Sequence, residues 1–350
     1  MSEVKVNKLS PRSGTTVTLG DSGDTFSIPS GATLSNSGST TFAGNLSVDG
    51  GTIKLDGNYP TGSNNVAMGD NALNSVASDG NSNTVMGNNA GTAITTGDLN
   101  VGIGAGALLD TTTASNNTAV GGIALCANTT GACNVAVGAC ALLNNTTADD
   151  NTAVGMNALC LNTTGCRNTA IGHNSMDVNT TGEFNTALGR SSLSGNTTAD
   201  NNTAVGYHSM LANTTGTENT AVGSGALDSN TTAGCNTSIG HGSMGDNTEG
   251  GNNVAVGRSA LGSNTTGASH VAIGRNSLTL NTTSTGNVAV GAFALDKNTT
   301  GGCNAGLGWQ ALTANTTGTS NTSVGALSLL ANTTGSTNTA VGFCALNANT

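Results

Sequence analysis

Charge and aromatic rings are scarce in this 350-residue chain: Asp, Glu, Lys and Arg together make up 8% and Phe, Trp and Tyr 2%. A typical domain carries about 25% charged residues, and large aliphatic groups are too few here for one three-dimensional core. An ordinary globular enzyme is thereby excluded. Only three prolines occur, and with so little charge and so many β-branched residues the chain is unlike a disordered tail. The nine Lys and Arg face nineteen Asp and Glu, for a formal net charge of −10, and Lys5, Lys8, Arg12 and Lys54 fall in the first 54 residues. No basic face for nucleic acid is expected. The longest near-apolar stretch, about Val101 to Leu109, is broken by glycine and is far short of a bilayer span. No apolar signal core follows Met1, so neither membrane insertion nor secretion by a visible leader is expected.

What is abundant is glycine, 52 residues, and much of it is in register. A Val, Ile, Leu or Met followed by Gly recurs at Gly87, Gly104, Gly121, Gly138, Gly155, Gly172 and onward to Gly342, always 17 residues apart, with one extra residue between Gly69 and Gly87. The consensus is N-T-A-V-G-x-x-A-L-x-x-N-T-T-G-x-x, repeated in 17 units over residues 65–350. A register that admits no loop insertion requires each unit to stack directly on the next. The segments between turn signals are four or five residues long and rich in Thr, Val and Ile, which predicts one short strand per unit. The expected fold is all-β: a parallel β-solenoid of 17-residue rungs behind a small β-rich module over residues 1–64.

Strand alternation separates the second and fourth positions of a unit from the third. Because Thr152 and Val154, or Val254 and Val256, are the larger groups, they are expected to point inward. Ala153, Ala255 and Ala289 should then face outward, where their uniform smallness suggests a surface packed on a neighbouring chain. The ninth position is Leu or Met in 16 of 17 units and should complete a thin core opposite the fourth, as Leu159 would opposite Val154. Gly155 and its equivalents suit a corner needing positive φ. Asn fills the first position in 16 of 17 units (Asn134, Asn151, Asn168) and the twelfth in 14 (Asn128, Asn145, Asn162). Stacked amides can form ladders along the solenoid, although a corner Asn can also be tolerated for its left-handed backbone alone.

Chemistry-bearing patterns are thin. No Gly-Lys dipeptide exists for a P-loop, and the four histidines (His173, His208, His241, His270) fall in different units, so no catalytic, cofactor or metal site is expected. Among eight cysteines no C-x-x-C pair occurs; Cys126 with Cys133, and Cys160 with Cys166, flank an NTTG corner and could clip it, while unpaired thiols are the simpler reading. The twelve NTT strings are formal N-glycosylation acceptors or simply corners. A flat threonine face of the ice-binding kind, formed by Thr129, Thr146, Thr163 and Thr180, is a minor alternative. The most individual residues lie at the two positions after the corner glycine: Arg190, Tyr207, His208, Arg258, Arg275, Phe293, Trp309 and Phe343. Such a column could stack on surface sugars or touch another fibre, or be ordinary corner variation.

The strings NNVAVG (Asn252–Gly257), HVAIG (His270–Gly274) and NVAVG (Asn287–Gly291) resemble the head repeat of YadA-like trimeric autotransporter adhesins. The resemblance implies a left-handed, homotrimeric β-roll. The family repeat is shorter, so the NTTG corner, as at Asn213–Gly216, has no counterpart in it. The opening Met1–Leu34 is similar instead to N-terminal modules of tail-fibre and other virion appendage proteins of marine bacteriophages. NTAVGxxAL runs with NTTG are likewise familiar in predicted phage fibres. This second resemblance implies a non-enzymatic virion fibre for host attachment, assembled in the host cytoplasm. It would dock on a baseplate or tail protein through residues 1–64 and touch a host surface glycan. A bacterial surface adhesin or extracellular fibril is the competing expectation.

Overall fold

Residues 62–350 are described by a computed structural model; the module expected over residues 1–64 lies, but for its last three residues, outside the described residues. Each 17-residue unit forms one turn of a parallel β-solenoid. Its T-A-V segment is a three-residue strand, giving seventeen strands from β1 (Val66–Met68) to β17 (Thr339–Val341). Equivalent positions lie side by side: Thr152 pairs with Thr169, Ala153 with Ala170, Val154 with Ile171. Sixteen steps of one strand spacing give a length of about 77 Å. Among the described residues there is no helix.

Three-residue strands leave most of the backbone unpaired, and the rest of each turn meets that need with bonds to adjacent turns. The N–H groups of Leu159 and Leu161 donate forward to the carbonyls of Ser175 (3.1 Å) and Asp177 (3.0 Å). Those of Gly155 and Asn157 donate backward to Val137 (2.7 Å) and Ala139 (3.0 Å). The corner glycine is required, as expected: Gly155 has φ +132°, and a Cβ there would lie 2.5 Å from the Gly172 carbonyl oxygen.

The inside and outside of the strand are the reverse of the sequence expectation. Ala153 is fully buried and Val154 stands on the outer face, half-exposed, as Thr152 does. The interior is filled by Ala153, Ala158 and Leu159, all at 0% exposure. Leu159 does complete a thin core, but opposite the alanine. The physical reason is width: a 17-residue turn already holds one Leu and two corner Asn side chains, leaving room for a methyl group and not for two β-branched chains. Leu159 itself has φ +51°, and its equivalents share that left-handed backbone. This conformation costs an L-residue about 1–2 kcal/mol, whereas burying a leucine contributes about 1.5–3 kcal/mol, so burial wins.

One unit shows the volume rule directly. Residues 83–99 carry Gly91 at the ninth position, and Val85 and Ile94 fill the space, lying 3.0 and 2.9 Å from where a Gly91 Cβ would be. In the next turn Gly102 replaces the usual alanine, and a Cβ there would meet Val85 at 3.3 Å.

Both asparagine ladders form, and neither depends on a left-handed Asn. Asn134 Oδ1 accepts the Asn151 backbone N–H at 3.0 Å, and Asn151 Oδ1 accepts that of Asn168 at 2.9 Å. In the second ladder Asn145 Nδ2 donates to Asn128 Oδ1 and Asn162 Nδ2 to Asn145 Oδ1, each at 3.0 Å. The ladders share an acceptor: the Gly165 carbonyl takes Nδ2–H from both Asn151 and Asn162 at 2.9 Å. Every one of these amides is buried. Asn162 thus spends its Nδ2 hydrogens on Asn145 of the preceding turn and on Gly165 of its own, so the folded NTT corner offers no free amide for a sugar.

The second ladder begins abruptly. Thr111 stands where Asn128 stands one turn later, and its buried Oγ1 has no partner. An orphaned buried hydroxyl costs about 1–3 kcal/mol. Thr111→Val should therefore raise the denaturation midpoint, by roughly 1 kcal/mol of stability; a lower midpoint would show that the hydroxyl is needed.

His270 takes the Asn place in the first ladder. Its Nδ1 accepts the Asn287 N–H at 3.1 Å and its Nε2 faces the Ser284 carbonyl at 2.7 Å. That pattern requires the neutral Nε2–H tautomer, and burial holds the imidazole below the usual histidine range. The unfolded chain therefore takes up a proton that the folded one refuses. Stability is complete above about pH 6.5 and falls by about 1.4 kcal/mol per pH unit until the folded value is reached. His270→Asn should abolish this acid-linked loss, read as unfolding midpoints between pH 7 and pH 5. An unchanged slope in the variant would refute the assignment.

Candidate functional site

The outer sheet face follows from the inverted alternation. With alanine inside, the fourth position forms an outward column of Val, Ile, Leu and Met, flanked by the second-position Thr or Val. Leu188 is 45% exposed, Ile273 40% and Ile239 39%. Thr occupies the second position in six consecutive turns, from Thr152 to Thr237, with Val154, Ile171, Leu188, Val205, Val222 and Ile239 beside it. A continuous apolar strip of this kind is unusual on a surface that meets only water.

A second feature runs along the corner after the glycine, where residues 17 apart stack one turn above another. Here the sequence column of individual residues becomes a ridge. Arg190, Tyr207, Arg258, Arg275 and Trp309 are all exposed. Tyr207 and His208 stack with ring centroids 3.8 Å apart and planes 16° from parallel. The Arg190 guanidinium lies 5.7 Å from the Tyr207 ring centre, and that of Arg275 lies 4.7 Å from Phe293. Phe293, also among the residues singled out from the sequence, stands on the adjoining column one turn after Arg275.

Elsewhere the structure is plain about the expected residues. The Thr129, Thr146 and Thr163 hydroxyls donate to the carbonyls of Thr146, Thr163 and Thr180 at 3.0–3.1 Å, so this column ties turns together and is no free threonine face. All eight cysteines are free thiols, and the clips left open for Cys126–Cys133 and Cys160–Cys166 do not form. Burial, reinforced by Asp110, raises the Cys126 thiol above its ordinary range; burial likewise raises Cys160. Among the described residues no three His, Cys, Asp or Glu come together as a metal ion would require, and no helix is long and apolar enough to cross a membrane.

The fold and these surfaces define a β-solenoid repeat protein with an uncovered apolar sheet face. The chain matches no family model, no curated protein and no solved structure.

Proposed function

We propose that this chain is the shaft of a non-enzymatic, homotrimeric fibre, of the virion tail-fibre or appendage kind, that serves host attachment. The observation that carries the reading is the outward apolar column. A strand of three residues is about 10 Å wide, so along 77 Å the face offers roughly 770 Å². That is close to the roughly 800 Å² per partner of a standard protein interface. Three such faces turned toward a common axis would bury the strip, a role given at the sequence level to the alanines. The resemblance of Met1–Leu34 to virion appendage modules supports docking of the N-terminal end on a baseplate or tail protein, and hence a place in the virion. A bacterial surface adhesin or extracellular fibril would use the same shaft.

The test is the mass of the full chain in solution by light scattering after size exclusion. A rod at three times 33.9 kDa is expected, and Ile171→Asp with Val205→Asp, which alters only the outer face, should dissociate it. A monodisperse wild-type monomer would refute the fibre. One specific observation favours a second reading in that event: the Thr-x-Val, Thr-x-Ile and Thr-x-Leu rows from Thr152 to Ile239 repeat in strict register, a regular array suited to ordered water, and thermal hysteresis of the monomer would identify an ice-binding protein.

A further inference from the structure

We infer that the corner ridge from His173 to Trp309 binds an extended, carboxylate-bearing polysaccharide. The inference does not depend on the assembly proposed above. Eight turns separate these two residues, so the ridge is roughly 38 Å long. Five of the nine Lys and Arg lie beyond residue 61, and three of those five, Arg190, Arg258 and Arg275, stand in this one column. No acidic residue shares the column between His173 and Trp309.

Two features set the ridge apart from ordinary surface variation. Arg258 and Arg275 occupy adjacent turns, one strand spacing apart, where like charges repel. Neither has a carboxylate partner among the described residues, whereas Arg167, on a different column, reaches Asp150 at 3.8 Å. Both guanidinium groups are exposed and offer the planar fork that takes a carboxylate bidentately. In addition, the ridge carries exposed rings on both sides of the arginine pair, Tyr207 and His241 before it and Trp309 after it. Tyr207 is 48% exposed and Trp309 50%. His208 stacks on Tyr207 and lies near Asp228, whose carboxyl is held above its usual range by burial, with the nearby His208 opposing this only in part. With the Arg190 guanidinium 5.7 Å from the ring centre, His208 braces the Tyr207 ring, which keeps about half of its surface open to a ligand.

An arginine pair flanked by aromatic faces suits a chain of sugar rings. The rings' C–H faces stack on Tyr207 and Trp309 while carboxylates between them meet the arginines. The charge density argues against nucleic acid. A single strand carries one phosphate about every 3.4 Å, so 38 Å would hold about eleven charges against three arginines on a chain of net charge −10. A polyuronate, with its charge diluted by neutral sugar atoms, meets less repulsion.

The test is affinity electrophoresis of the full chain through gels containing alginate as the polyuronate, dextran as the neutral glycan, or neither, with single-stranded DNA as competitor. Alginate should retard the wild type and dextran should not. Arg258→Ala with Arg275→Ala should weaken retardation about tenfold, salt should weaken it further, and Trp309→Ala should weaken it with no change in net charge. These are exposed corner residues, and the mass measured on the same samples separates a failed ridge from a failed fibre. Three outcomes would overturn the inference: no retardation of the wild type by alginate, equal retardation of the arginine variant, or displacement by DNA at equal charge concentration.

Discussion

Gly172→Ala should split the solenoid in two. The residue has φ +139°, and an added methyl carbon would sit 2.4 Å from the Gly189 carbonyl oxygen, a backbone atom that has no side chain to swing away. The backbone conformation alone costs about 1–3 kcal/mol for a residue other than glycine, and the overlap must be relieved by moving the next corner. The next corner is equally close, since a Cβ on Gly189 would lie 2.5 Å from the Gly206 carbonyl oxygen, so the displacement has nowhere to end within one turn. A loss of at least about 3 kcal/mol is expected at this interface. Because stability in a repeat array is a sum of units and nearest-neighbour contacts, the turns on either side should unfold in separate transitions, seen as a biphasic melt by circular dichroism. Gly122→Ala is the control: its methyl group meets nothing within 4 Å, and one transition near the wild-type temperature should remain. A single unshifted melt for Gly172→Ala would show that the corners are not close-packed.

The same corner illustrates what could be read from the amino acids alone. Glycines at an unbroken 17-residue step betray both the period and the position that only glycine can fill, because stacked identical corners impose identical demands. The Asn ladders were legible for that reason too, since an amide repeated at one place in every turn needs a repeated partner. The side of the strand was not. Thr152, Ala153 and Val154 alternate in the same way whichever face is inside, and the preference for burying the larger group selects the wrong one. The deciding quantity is the interior volume left by Leu159, Asn151 and Asn162, which no single strand carries. Arg258 and Arg275 are recognisable as a column from spacing, but their lack of acidic partners depends on where Asp and Glu of other turns end up. The left-handed backbone of Leu159 leaves no trace at all, because its residue type is chosen by burial.

Asn168→Leu should cost nearly as much as the corner substitution, and at a place that can be read residue by residue. Asn168 Oδ1 accepts the Asn185 backbone N–H at 3.0 Å and its Nδ2 donates to the Gly182 carbonyl at 2.8 Å. Gly182 keeps a second donor, Asn179 Nδ2 at 3.0 Å, so the carbonyl is still satisfied after the substitution. The Asn185 N–H has no such reserve. A leucine would bury more apolar surface, but the buried amide left without an acceptor costs about 1–3 kcal/mol, and the lost hydrogen bonds add about 1 kcal/mol each. Asn168 is completely buried, so the larger leucine overpacks its place and adds to the loss. The net effect should be a destabilisation of about 3 kcal/mol. Native-state hydrogen exchange gives the sharper readout: the Asn185 amide should lose protection while the Asn219 amide, which bonds Asn202 Oδ1 at 3.0 Å two turns on, keeps it. Full protection of Asn185 in the variant would mean that the amide finds another acceptor, and that the ladder is a consequence of stacking instead of one of its causes.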